Sequence, residues 1–223
     1  MNNSVTNTVR LLGAGLRALL VLTLVTGVIY PLVVTGVAQA LFNGKANGSE
    51  IKADGRVVGS SLIGQSYNLP LKKGQETPAP DLKWFQGRPA NGLGTNSINT
   101  QYKLLLSGAT NLSADNKDLI QQVTYAKAAV VEDNSTADYK VRASEVPADA
   151  VTSSASGLDP NISPEYADIQ VHRVAERNGL PAPQVEKLVE EHTDGRTLGF
   201  MGEPRVNVLE LNIALKDLLA KKS

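Results

Sequence analysis

The chain contains no cysteine. That excludes a disulfide framework, a thiolate metal site and a cysteine nucleophile, and it leaves the redox compartment open. Aromatic residues are scarce, with one Trp, six Tyr and three Phe in 223 residues. A core must therefore be built from Leu, Val, Ile and Ala. There is no excess of either charge, with 22 basic against 22 acidic side chains. A nucleic-acid partner is thereby excluded, because neutralising phosphates requires a concentration of Lys and Arg. Also missing are a Gly-rich phosphate loop ending in Lys-Ser/Thr, a Gly-x-Ser-x-Gly nucleophile elbow and a His-Glu-x-x-His pair. No nucleophile-and-base set stands out, so no catalytic residue is assigned and the chain is not expected to be an enzyme on its own.

The charge is unevenly placed. Before Lys45 the only charged side chains are Arg10 and Arg17, so this part carries +2, and the remainder, 20 basic against 22 acidic, carries −2. Residues 18–42 are dominated by Leu, Val and Ile and contain no Lys, Arg, Asp, Glu or His. Twenty-five helical residues reach roughly 37 Å at 1.5 Å per residue, enough to cross a ~30 Å hydrocarbon core with some tilt. The two arginines ahead of this run place residues 1–17 in the cytoplasm and everything after the span outside it. Pro31, near the middle, removes one backbone donor and predicts a local kink or a neighbouring helix that compensates. The rival reading is a cleavable signal peptide, since Ala38-Gln39-Ala40 fits a small-x-small cleavage site. The apolar run is longer than a signal core of about 7 to 15 residues, which favours a retained anchor.

Within the span Thr23, Gly27, Pro31, Thr35 and Gln39 recur every four residues. Such a stripe of small and weakly polar groups is either a docking face for other membrane helices or the ordinary Gly and Thr content of such segments. The expected organisation is a tail (1–17), a transmembrane helix (18–42), a tether (43–55) and an extracytoplasmic α+β domain rich in helices (56–223).

In that domain residues 56–65 suggest a bent strand or two short ones, while 66–80 and 91–99 are turn-rich. Trp84-Phe85 reads as a hydrophobic pin. Residues 113–131 predict a helix with Ser113 as N-cap, followed by a polar linker (132–139) and an ordered, irregular loop (146–163). Ser163-Pro164-Glu165 is a strong helix start, and Asn178-Gly179 ends that helix. A second helix covers 183–192. A third begins at Asn207, with Glu210 completing a capping-box-like pair and Val208, Leu211, Leu215, Leu218 and Leu219 forming its apolar face.

Chemistry is sparse. His172 and Glu176, four apart on one helix face, lack a third ligand and read as a solvated pair, so no metal site is assigned. His192 suits the C-terminal dipole of its helix. The hydroxyl-rich run 152–157 offers Ser153, Ser154, Ser156 and Gly157 as a weak nucleotide candidate, against a loop bonded to itself. Glu203-Pro204-Arg205 offers a catalytic pair or an interface clamp, against the structural salt bridge that an isolated Glu/Arg pair after a Gly turn usually forms.

Several segments, in order, resemble one family. They include Gly59-Ser60-Ser61-Leu62-Ile63-Gly64-Gln65, Gly87-Arg88-Pro89, Ser156-Gly157-Leu158-Asp159-Pro160, and Gly202-Glu203-Pro204-Arg205-Val206-Asn207-Val208-Leu209. With Gln170-Val171, Arg173-Val174-Ala175 and the single N-terminal span, the chain resembles the C subunit of the Kdp potassium-transporting P-type ATPase. It departs from that family at Trp84, Ala90, Ala109-Thr110 and Asn161. The resemblance implies an accessory subunit in the bacterial cytoplasmic membrane, needed for assembly of an ATP-driven potassium importer. Its implied partners are an ATP-hydrolysing pump subunit, a channel-like subunit and a small single-helix subunit, besides the lipid bilayer. It further implies a catalytic chaperone that raises the pump subunit's ATP affinity, with Mg-ATP and K+ handled by the partners and no cofactor firmly assigned to this chain. Arg88, Asp159, Glu203 and Arg205, inside the matching motifs, are the candidate interface residues.

Overall fold

A computed structural model describes residues 2–75, 77–90, 94–95 and 105–222. The chain divides into two compact units, Met1–Glu50 and Ile51–Ser223.

The first unit is dominated by one uninterrupted helical rod. It comprises α1 (Asn2–Leu24), a single wide turn (Val25–Ile29) and α2 (Tyr30–Leu41). The helix therefore begins well before residue 18, and the expected tail 1–17 is itself helical from Asn2. In the wide turn the Tyr30 N–H donates to the Val25 carbonyl, five residues back. Pro31 explains the change of pitch. It has no N–H, and in a regular helix its ring presses on the carbonyl four residues earlier, that of Gly27. Inserting one residue into the turn relieves that clash without breaking the rod, so the expected discontinuity takes the form of a π-type turn. The segment expected to be a plain tether instead carries a helical turn, α3 (Asn43–Ala46), and a strand, β1 (Glu50–Ala53).

The second unit is α+β. β1 forms a two-stranded sheet with β2 (Arg56–Ser60), and the short pair β3 (Gly94–Thr95) and β4 (Leu105–Leu106) is antiparallel. Apart from Gly94–Thr95, the predicted loop 91–99 lies outside the described residues. Four helices follow in the chain: α4 (Lys117–Asn134), α5 (Pro164–Asn178), α6 (Ala182–Glu191) and α7 (Val208–Lys222). A small antiparallel sheet packs with them, its β5 (Asn161–Ile162) and β6 (Thr193–Asp194) flanking the central β7 (Arg205–Asn207).

The core is centred on α5, which buries Tyr166, Ala167, Ile169, Val171, Val174 and Ala175. Its start follows from sequence chemistry. Ser163 Oγ accepts the Tyr166 N–H at 3.1 Å, and the Asp149 carboxylate in turn accepts from both the Ser163 N–H and its hydroxyl. Its end follows as well, because Gly179 adopts φ +61°, a left-handed conformation that lets the chain leave the helix. Val185 and Val189 of α6, Leu211 and Leu215 of α7 and Val206 of β7 close over it. Asn207 caps α7 through the Leu209 and Glu210 N–H groups. Phe85 is fully buried, so the Trp84-Phe85 pin is present.

Two helix expectations change. The N-cap of α4 is Asn116, whose side chain accepts the Asp118 and Leu119 N–H groups, while Ser113 donates to Asp115. The helix also continues to Asn134 through part of the expected linker, and Asn134 is buried.

Candidate functional site

On the apolar rod, Thr23, Gly27, Pro31 and Thr35 lie on the outside of the helix, with Gly27 inside the wide turn. Open space surrounds Gly27, where an added Cβ would meet only the Thr23 methyl, at 4.0 Å. Gln39 differs from the other four. Its amide bonds Asn43 and Asn47 at 3.0–3.1 Å and so fastens the turn that follows the rod. The large apolar side chains of the rod are bare, from Val25 at 43% exposure to Leu11 at 72%. Ser4–Leu41 is long and apolar enough to cross a membrane, and none of its apolar window is buried. Lipid or other apolar helices must cover such a surface.

In the second unit all four candidate interface residues line one open depression of about 540 Å³: Arg88, Asp159, Glu203 and Arg205. Arg88 arrives on a strap, residues 82–90, held by long-range polar contacts. Asn212 brackets Phe85 by accepting its N–H and donating to its carbonyl, both at 2.9 Å. Gln170 does the same to Gln86, at 2.7 and 3.1 Å. The strap thus delivers Arg88 Nη1 to 3.2 Å from Asp159 Oδ2. Asp159 Oδ1 accepts the Asn161 N–H, so the carboxylate is fixed from both sides.

Glu203 and Arg205 do not pair with each other. Glu203 pairs with Arg196 at 2.7 Å and Arg205 with Asp194 at 3.3 Å, across the hairpin formed by β6 and β7. The antiparallel register sets Asp194 opposite Arg205, so each charge finds its partner across the hairpin and not along its own strand.

Behind the Arg88–Asp159 pair lies a second cleft of about 420 Å³, lined by Ile63, Gly64, Gly87 and Val208 among others. Gly64 permits a close approach there, since its N–H donates to Leu158 O at 2.8 Å and an added Cβ would fall 2.6 Å from the Asp159 carbonyl oxygen. Gly64→Ala should therefore push Asp159 away from Arg88 and destabilise the chain by about 1–3 kcal/mol, the usual cost of overpacking. Thermal unfolding of the detergent-solubilised chain checks this, with Gly195→Ala, at an open position without a left-handed backbone, as the control for the loss of a glycine.

The hydroxyl-rich run turns inward on itself. Ser154 Oγ and Ser156 Oγ are 3.3 Å apart, Ser156 Oγ accepts the Leu158 N–H, and Ser154 Oγ accepts the Asp159 N–H. The Gly157 N–H goes to the Ser154 carbonyl. Ser153 and Ser154 line a shallow cleft of about 250 Å³ whose lining has no Lys or Arg. Ser154, Ser156 and Gly157 thus bond within the loop.

His172 is not the solvated partner of Glu176 that its spacing suggests. It is half-buried and stacks on Tyr139, with ring centroids 4.0 Å apart and planes at 12°. Asp168, Glu186 and Glu190 share its cleft. Burial, then Glu165, Glu186 and Glu190, push the Asp168 carboxyl above its ordinary value. Among the described residues no group of three His, Asp or Glu side chains is placed to hold a metal ion. His192 Nδ1 donates to the Leu188 carbonyl at 2.9 Å, at the C-terminal end of α6 where a cation is favoured.

Sequence patterning overlooked the polar heart of the domain. Arg173 is 2% exposed. Its guanidinium donates to Asn134 Oδ1 (2.8 Å), Gln170 Oε1 (2.7 Å), the Trp84 carbonyl (3.0 Å) and the Leu82 carbonyl. Burial pushes its pKa down to about 10, so it stays charged at neutral pH. The signal was present in Gln170 and Arg173, two polar residues interleaved with the apolar face of α5.

The sequence profile of the family described as K+-transporting ATPase, c chain, matches residues 12–217. The chain is 80% identical over 220 residues to the potassium-transporting ATPase KdpC subunit of Streptomyces avermitilis, covering 99% of both chains. It is 75% identical to that of Streptomyces coelicolor, covering 99% of this chain and 98% of the relative. Against the KdpC subunit of Caldanaerobacter subterraneus it is 43% identical over 91% of this chain and 92% of the relative. The matched span takes in most of the apolar rod, the strap with Arg88 and the Glu203–Arg205 hairpin alike, and by this measure the chain belongs to the KdpC family of K+-transporting ATPase subunits.

Proposed function

We propose that this chain is the non-catalytic, membrane-anchored accessory subunit of an ATP-driven potassium importer, with its N-terminus in the cytoplasm and its second unit outside. Family membership makes it a K+-transporting ATPase subunit, and the apolar helix, the one candidate span among the described residues, supports a single-pass membrane protein. The orientation rests on Arg10 and Arg17, unopposed by any acid before residue 50.

The observation that carries the role is the bare apolar rod joined to a well-packed domain whose most prominent surface cluster is a set of ion pairs. Such anatomy suits assembly. The stripe of Thr23, Gly27, Pro31 and Thr35 would meet helices of the channel-like and pump subunits, and the small single-helix subunit completes the set. The depression around Arg88, Asp159, Glu203 and Arg205 would meet their outer surfaces.

The chaperone role, raising the pump subunit's affinity for ATP, then works at a distance. A domain outside the membrane does not touch cytoplasmic ATP, so the effect passes through the helix or through preference for one pump conformation. Such couplings are typically about 1–3 kcal/mol, or roughly 5- to 150-fold in affinity. Mg-ATP and K+ are handled by the partners. Direct nucleotide contact by Ser153, Ser154, Ser156 and Gly157 is the weaker reading, because Ser154, Ser156 and Gly157 bond within the loop.

The test is potassium-stimulated ATPase activity of the purified complex, measured against ATP concentration with and without this chain. A higher ATP requirement without the chain supports the role. An unchanged ATP dependence in a complex that still assembles would contradict it.

A further inference from the structure

The hairpin of β6 and β7 ends in a rigid apolar finger that neither ion pairing nor the core explains. The Thr197 N–H donates to Met201 O at 2.9 Å and the Met201 N–H returns to Thr197 O at 3.0 Å, while the Gly199 N–H closes on Arg196 O at 3.0 Å. The Arg196–Glu203 and Asp194–Arg205 pairs clamp the base. On this well-bonded loop Leu198 is 78% exposed, Phe200 71% and Met201 45%. Leu198 also sits at φ +54°, a left-handed conformation that costs a branched residue energy. Strain and exposed apolar bulk, both held in place by an ordered loop, mark a surface shaped for an apolar acceptor.

We propose that this finger rests in the interfacial layer of the lipid bilayer, giving the second unit a membrane contact of its own. Two observations select the bilayer as occupant. The first is the collar, whose two arginines and two carboxylates are already paired, so no unpaired charge stands at the base of the apolar finger. The second is position. The chain enters the second unit at Ile51, on the open end of the β1–β2 hairpin, whose turn at Asp54-Gly55 lies at the other end beside Lys216 of α7. From that open end the chain runs through Ser61, whose carbonyl accepts from Asn207 of β7, to Leu62, which lines a cleft with Asp194 and Arg205 at the finger's base. The finger therefore leaves the domain at the end where the membrane-linked segment enters it. Only nine residues lie between Leu41 and Ile51, ten steps along the chain that reach at most ~36 Å fully extended. Exposed Leu62 and Ile63 extend the apolar surface on that side.

This inference rests on the membrane anchor and not on its sidedness, so a reversed orientation would leave it standing. The absence of native cysteine provides the test. The full chain is reconstituted without partners in nanodiscs of phosphatidylethanolamine and phosphatidylglycerol, carrying a nitroxide introduced through Phe200→Cys, through Leu198→Cys, or through Lys187→Cys on the exposed side of α6. Labels at 198 and 200 should collide more with oxygen than with a water-soluble nickel chelate, and the label at 187 should show the reverse. If all three labels read as water-exposed, the proposal is overturned. It is equally overturned if 198 and 200 become shielded only when pump and channel subunits are added, since a protein would then be the occupant.

Discussion

Arg173→Leu should lower the stability of the second unit by about 3 kcal/mol, since each buried acceptor left without a donor costs about 1–3 kcal/mol. Leucine fills much of the volume but leaves Asn134 Oδ1 and the Leu82 carbonyl facing an apolar side chain in the interior. One effect opposes this. The guanidinium is itself strained by burial, as its lowered pKa shows, so its removal returns part of the desolvation cost. The orphaned acceptors outweigh that return because the Leu82 carbonyl lies on fixed backbone and the buried Asn134 amide is held by its bond to the Val130 carbonyl, so neither turns to water. For a unit of this size ~3 kcal/mol corresponds to a drop of roughly 6–12 °C in Tm. Trp84, the single tryptophan, accepts from Arg173 through its carbonyl and is a local reporter for thermal unfolding of the full chain in detergent. Arg173→Leu/Asn134→Leu should cost less than the sum of its parts, because the second change removes one orphan. Strict additivity would show that the Arg173–Asn134 contact carries no coupling. The strap that delivers Arg88 hangs on the same network, so the variant should also loosen the Arg88–Asp159 pair.

Replacing residues 1–42 by a cleavable export signal should reduce co-purification with the pump and channel subunits to background. The helix offers a fully exposed apolar surface, whereas the second unit offers ion pairs of the surface type, each contributing only about 0–1 kcal/mol. A narrower variant separates docking from anchoring. Gly27→Leu places bulk on the small-residue stripe, while Gly36→Leu adds the same bulk beside it, where the space is open. Both still span the bilayer, and only Gly27→Leu should weaken co-purification. Assembly and transport supported by the second unit alone would rule out helix docking.

Much of this architecture is written locally in the sequence. An uncharged run behind two arginines produces the rod, Ser163-Pro164-Glu165 starts α5, and Asn207 caps α7, because each depends on residues within a turn of one another. What sequence reading missed depends on distant residues. Asn116 displaces Ser113 as the cap of α4 because Ser113 is engaged by Asp115. Arg173 and Gln170 look like surface residues until the strap, some 85 to 90 positions earlier, folds over them. Arg88, Asp159, Glu203 and Arg205 were legible as candidates, yet their pairing was not, since the hairpin register sends Glu203 to Arg196 and Arg205 to Asp194. The finger at Leu198 and Phe200 carries no periodicity and is visible only as shape.

The proposed permanent anchor would leave the larger unit on the outer face of the membrane. Protease added to intact spheroplasts tests it most directly. The account predicts digestion of the region after residue 50 and survival of a short membrane-embedded fragment that retains the original N-terminus. A larger unit that resists protease until the membrane is opened, while remaining digestible in detergent, would contradict it.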